Sequence, residues 1–308
     1  MKKRGLFDNA LPAQLAGGQR AEPLLEGVLN TLERMQDVER KRQTPTCYQE
    51  GESGLYEQNV GTWNFGDWLY DTTGTCDGVR RELKKELARR IEKSRPVDKA
   101  EYQNLTQQAE REQCHGELVV LLRTDDIKTL YVGTPERFLS AKRWYLAKYV
   151  PKSEFVAEAI ECFENLYFHE DVKSSLHTLR VDFDKERPLI VVHLNALDQF
   201  AERFLEMREA HANHDMMCEE FQKHSPELVQ TLVECSPESN QTRKHKLDKE
   251  LPLDTGMGKR LVCYECHTKL KWNDKNMDKD KQDRIHFSPG WPDIQSGKVL
   301  IAFIGRHQ

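Results

Sequence analysis

The sequence predicts an α+β protein: a mainly helical N-terminal region, then a C-terminal domain holding a small antiparallel sheet. Two observations lead there. Apolar residues recur at helical spacing through most of the chain up to about residue 230, whereas short alternating or wholly apolar runs of β-formers crowd into the last 50 residues. The balance of charge also changes sign. The whole chain of 308 residues carries a net −5, but residues 236–308 hold 14 Lys and Arg against 10 Asp and Glu, a local +4.

In chain order, residues 1–20 contain Pro12 and the pair Gly17-Gly18 and are expected to form an extended arm. Residues 22–42 show a helix with Leu25, Val28, Leu29, Leu32 and Met35 on one side. The stretch 44–78, which includes "GTWNFGDWLYD", is rich in Gly, Thr and aromatics and predicts loops, one short helix and a small aromatic cluster. Val79, Leu83, Leu87 and Ile91 form an amphipathic stripe that Pro96 terminates. Residues 116–133 predict a β-hairpin turning at Asp125-Asp126, and helices follow from 135 to about 230. Late strands are expected within "KRLVCYECHTKLKW", at "DRIHF" and at "KVLIAFIG". The domains are therefore placed at 1–185 and 187–308, and the second is expected to fold alone.

Charged residues make up 31% of the chain and no apolar run approaches the roughly 18 residues of a membrane span. The start lacks an uninterrupted apolar core, so a cytoplasmic protein without membrane contact is expected. A net negative charge gives no global attraction to polyanions; any such contact needs a local basic patch.

The word "CYECH" matches C-x-x-C-H. Covalent haem is not expected without export, and zinc is not expected because only Cys263 and Cys266 form a close pair. If they share one strand, they also face opposite ways. Neither a metal nor another cofactor is expected. His211 and His214, three apart on a helix, read as surface residues.

The tail is more informative for its bases. In a strand, residues two apart share a face, which groups His267, Lys269 and Lys271, and separately Arg284 and His286. If the strands are neighbours, all five lie together, and Arg306 and His307 follow a buried strand that ends nearby. Against this stands the plainer account, a solvated face of an edge sheet.

The succession "ECSPES", "HKL", "CYECHTKL", "DRIHF" and "KVLIAFIGRH" resembles the C-terminal part of RelE/ParE-type toxins, over about a third of the chain. The resemblance implies a RelE-like fold of helices and antiparallel sheet. It also implies metal-free cleavage of RNA, with the ribosome as a partner. His267, Lys269, Arg284 and Arg306 match the family's basic catalytic positions; Lys271, His286 and His307 would then bind RNA beside them. A toxin–antitoxin or phage-defence role in bacteria follows, with an antitoxin or defence subunit as protein partner. Departures are a longer, mixed-charge loop over 272–283 and a histidine where the family's first lysine stands. ParE-type members share the sheet without this chemistry, so a non-catalytic interaction subunit of a larger bacterial complex is the alternative. On the catalytic account, Arg284→Ala or Lys269→Ala abolishes activity and leaves the fold intact.

Overall fold

The computed structural model describes residues 2–15, 21–39, 46–71, 79–114, 117–123, 127–239, 247–270 and 282–306. The chain is mixed α and β and forms two compact units, 1–145 and 146–308.

Unit 1 contains β1 (Lys2–Phe7), α1 (Leu11–Leu15), α2 (Ala21–Glu39), β2 (Cys47–Gln49), β3 (Asn59–Val60), β4 (Trp63–Asn64), α3 (Phe65–Tyr70), α4 (Arg81–Glu92), β5 (Arg95–Val97), α5 (Lys99–Glu110), β6 (Glu117–Leu122) and most of α6 (Pro135–Lys148). Helix outnumbers strand in it, as expected, but the sheet it packs on was not foreseen. Its centre is a parallel sheet in the order β5-β2-β1-β6. The expected extended arm is in fact β1, an inner strand of that sheet. "KKRGLF" hides this because its polar members are also packed. Lys3 is buried, and Arg4 pairs with Glu101 at 3.1 Å and Glu117 at 3.2 Å. The expected hairpin at 116–133 is also corrected. β6 runs parallel to β1, and residues 130–132 run parallel beside β6, with Val132 N donating to Leu121 O at 2.8 Å. The turn at Asp125-Asp126 falls outside the described residues. The aromatic stretch does form a local core, with Phe65 and Trp68 stacked at 5.7 Å and Lys84 over the Trp68 ring at 4.4 Å.

Unit 2 continues with α7 (Lys152–Cys162), β7 (Leu166–Phe168), α8 (Asp171–Ser175), α9 (Phe183–Gln199), α10 (Ala201–Glu209), α11 (His214–Val229), β8 (Cys235–Pro237), β9 (Asp248–Pro252), β10 (Lys259–Cys263), β11 (Cys266–Leu270), β12 (Asp283–Ser288) and β13 (Val299–Arg306). The last strands build a sheet in the order β7-β13-β12-β11-β8, antiparallel except for β7 on β13. β9 and β10 form a separate hairpin.

The division between units falls some 40 residues before the expected 185–187. Two contacts account for it. β7 completes the C-terminal sheet. Arg187, on α9, donates to the carbonyls of Ala147 at 2.9 Å and Val150 at 2.7 Å, and to that of Lys148. A chain begun at 187 would lose both.

One face of the sheet is covered by helices. Phe287 lies 5.7 Å from Phe204 on α10 and 6.5 Å from Phe221 on α11, and Thr268 Oγ1 meets His193 Nδ1 at 2.9 Å. On the other side, Leu251 and Val262 of the hairpin pack with Tyr264, Ile294, Leu300, Ala302 and Phe303. A register shift at His286/Phe287 lets the adjacent Ala302 and Phe303 join that one cluster.

The connection from β12 to β13 is tightly specified. Trp291 lies between Arg208 at 3.9 Å and Arg260 at 4.7 Å. Gln295, Ser296 and Gly297 have successive φ values of 50°, 54° and 80°, and the Asp254 carboxylate accepts from the N–H of both Gln295 and Ser296 at 2.8 Å. A Cβ on Gly290 would sit 2.0 Å from the Gly297 carbonyl oxygen. Gly290→Ala is therefore expected to destabilise unit 2 by about 1–3 kcal/mol, since backbone must move. A melting temperature equal to wild type would refute this close approach.

Candidate functional site

The basic residues singled out in the sequence lie on β11, β12 and the end of β13. The antiparallel register sets His267 opposite His286 and Lys269 opposite Arg284. Alternation then puts all four side chains on one face, away from the Thr268–His193 contact. The two imidazole rings are 5.2 Å apart at 43°. Ser236, opposite His267 on β8, brings its Oγ to 3.3 Å from His267 Nε2. Arg284 Nη1 donates to Glu238 Oε2 at 3.3 Å, with both side chains under a tenth exposed. The Phe303 ring lies 6.0 Å from that of His286.

Burial dominates the electrostatics. His267 and His286 are buried, and Lys269 is half-buried. Desolvation, helped by His286 and Arg284, lowers the His267 pKa to about 2, so it is a neutral base at any ordinary pH. Glu238 compensates the charge of Arg284. No side chain among the described residues hydrogen-bonds His267 Nδ1. With no side chain orienting that ring nitrogen and 3.3 Å to Ser236, the pair lacks the geometry of an activated serine nucleophile.

The other predicted site residues are placed differently. Arg306 is opposite Asp283, one residue out of phase with Arg284, so it belongs to the other face; its side chain is exposed and its N–H donates to Thr178 Oγ1 at 3.2 Å. The four expected catalytic residues therefore do not all converge: Gly305, not Arg306, stands opposite Arg284. Lys271 and His307 lie outside the described residues.

Cys263 and Cys266 are separated because β10 ends at Cys263 and β11 starts at Cys266. The Cys263 thiol is pushed up to about 12 by burial and by Asp248. Cys266 instead joins Cys218 and Cys235 beneath the helices. Burial raises the thiols of Cys235 and Cys266, and their hydrogen bonds hold Cys218 below its usual value. Among the described residues, no group of three or more His, Cys, Asp or Glu has metal-holding geometry. His214 is not a free surface residue: its Nδ1 contacts the Glu265 carboxylate, and Arg208 lies 3.2 Å from its Nε2.

Sequence reasoning missed Ser236, Glu238 and Phe303. The first two sit in "ECSPES", and only strand pairing with β11 exposes their relation to the basic residues. Also unforeseen is a cleft of about 400 Å³ on the same side of β13, lined by Asp171, Ser174, Thr178, Leu247, Lys249 and Phe303.

The fold and site define a mixed α/β chain with two buried histidines, a buried arginine and a half-buried lysine on one face of an antiparallel sheet. Comparison with known protein families, characterised proteins and solved structures finds no match. Among the described residues, no helix is long and apolar enough to cross a membrane.

Proposed function

We propose that unit 2 binds RNA and cleaves it without a metal, as a RelE-like effector in a bacterial toxin–antitoxin or phage-defence setting. The observation that carries this is the register that gathers His267, His286, Lys269 and Arg284 on one face. A sheet face serving packing alone is usually filled with apolar side chains; two desolvated imidazoles beside two cations support a functional site there. In the reaction, the ribose 2′-hydroxyl loses its proton to His286, the desolvated His267 being too weak a base to take it, and attacks the adjacent phosphorus. The P–O5′ bond breaks, leaving a 2′,3′-cyclic phosphate. Lys269 protonates the departing 5′-oxygen and, with Arg284, lowers the charge cost of the transition state.

Burial of the block and the Arg284–Glu238 pair favour a second role, that of a non-catalytic interaction subunit in which the block is structural. Expression and RNA assays separate the two. Wild type is expected to arrest growth and to cleave RNA, with or without ribosomes, in the presence of chelator. Lys269→Ala, half-exposed and therefore tolerated by the fold, is expected to slow cleavage by about 10²–10³-fold. A wild-type protein that neither arrests growth nor cuts RNA leaves the interaction role standing.

A further inference from the structure

The cleft beside the His/Lys/Arg block has a construction of its own. Leu247, Ala302 and Phe303 give it an apolar surface, and Phe303 is the ring that touches His286. Its hydroxyls are largely committed. Ser175 Oγ bonds Val172 O at 2.9 Å and both the carbonyl, at 3.1 Å, and the N–H, at 2.9 Å, of Ile304. Thr178 Oγ1 donates to Ser175 O at 2.7 Å and accepts from Arg306 N. Ser174 Oγ donates to Asp171 O at 2.9 Å.

The recognition groups that remain are Asp171 and Lys249. Lys249 Nζ is 2.6 Å from Asp171 Oδ2, and His169 Nδ1 is 3.4 Å from the same oxygen. Lys249 and His169 hold the Asp171 carboxyl below its usual range, so it stays an ionised acceptor. The pair is open to water, at 28% and 44% side-chain exposure, and an exposed pair of that kind is weakly held. A ligand edge can therefore come between the two groups at little cost.

A carboxylate beside an ammonium, next to an apolar surface, matches a flat heterocycle with two adjacent N–H donors and a neighbouring carbonyl. Guanine has that edge: N1–H and N2–H toward the carboxylate, O6 toward the lysine. Adenine presents one exocyclic donor and no carbonyl, and uracil one ring N–H between two carbonyls. We propose that this cleft, through Asp171 and Lys249, holds a guanine base of the RNA strand, with the base face on Phe303 and Leu247. This rests on unit 2 being an RNA-binding unit and adds the base it selects. Phe303 is common to both places: it lines the cleft and its ring lies 6.0 Å from that of His286.

The test uses the full chain with GMP, AMP, CMP and UMP, and with UGUU and UAUU oligoribonucleotides, followed by titration calorimetry and by NMR. GMP is expected to bind about tenfold or more tighter than AMP, the margin of a bidentate base contact, and UGUU tighter than UAUU by a similar factor. Asp171→Asn is expected to bring the GMP to AMP ratio to about 2 or less, and Ser174→Trp, on the exposed side of α8, to abolish binding by filling the cleft. GMP binding without the oligonucleotide preference marks a free-nucleotide site and overturns the RNA assignment. No GMP binding, no preference over AMP, or binding that survives Ser174→Trp overturns the cleft altogether. If RNA is still cut, cleavage stands without it. Guanine selection by a protein that cuts no RNA keeps the cleft and removes the cleavage.

Discussion

Arg284→Ala is expected to cost unit 2 about 3–5 kcal/mol, because it strips a buried carboxylate of its guanidinium partner. Arg284 and Glu238 are 6% and 4% exposed and their contact is 3.3 Å. This departs from the sequence expectation, in which the substitution removes activity and spares the fold. Loss of activity in this variant alone is therefore no evidence for catalysis, and Lys269→Ala is the sounder probe. The measurement is hydrogen exchange of the β11 and β12 amides at increasing urea. The double replacement Arg284→Met with Glu238→Leu should recover most of the loss, since neither charge is then buried. A single variant within 1 kcal/mol of wild type would show that the pair contributes nothing to the fold.

Mild acid is expected to weaken unit 2 steeply. Burial lowers His193 to about 3, and burial with His286 and Arg284 lowers His267 to about 2. Both lie below the ordinary value near 6.5 that the unfolded chain retains. The folded state keeps the rings neutral while the unfolded state takes up protons. Their contribution is thus complete above about pH 6.5 and is lost as the pH falls toward 3, by about 1.4 kcal/mol per pH unit for each ring. By pH 5 the two amount to about 4 kcal/mol relative to alkaline pH, a large share of the 5–15 kcal/mol typical of a whole domain. Asp283 acts in the opposite sense: burial raises its carboxyl, so its ionisation costs stability as the pH rises. Urea midpoints at pH 7.5, 6 and 5 test the balance, and His193→Gln should roughly halve the slope. A flat profile would mean that the rings are not desolvated in solution.

The tail was legible in the sequence where alternation and apolarity were strong. "DRIHF" and "KVLIAFIG" are β12 and β13, and the shared face of His267, Lys269, Arg284 and His286 follows from a period of two once the strands pair. What no local pattern carried was the partner across each strand. Glu238, which compensates Arg284, is 46 residues away in sequence. Arg306 follows Gly305, and only the register shows that Gly305, not Arg306, opposes Arg284. In the N-terminal region, helix periods were long enough to read, but the parallel strands were not. β2 and β5 are three residues each, too short to show a period, and β1 carries a basic residue at three of its six positions. A parallel sheet buried on both faces also lacks the alternation that reveals an antiparallel one.

The two outer strands of the C-terminal sheet, β7 and β8, have three residues apiece, and β8 ends on Pro237, which has no N–H to offer. A foreign strand laid along either side would gain few main-chain hydrogen bonds before running off the end. Short, proline-bearing margins of this kind are how sheet proteins resist edge-to-edge aggregation. The five-stranded sheet should therefore stay monodisperse at high concentration, and any protein that captures unit 2 through this sheet must do so by side-chain recognition and not by adding a sixth strand.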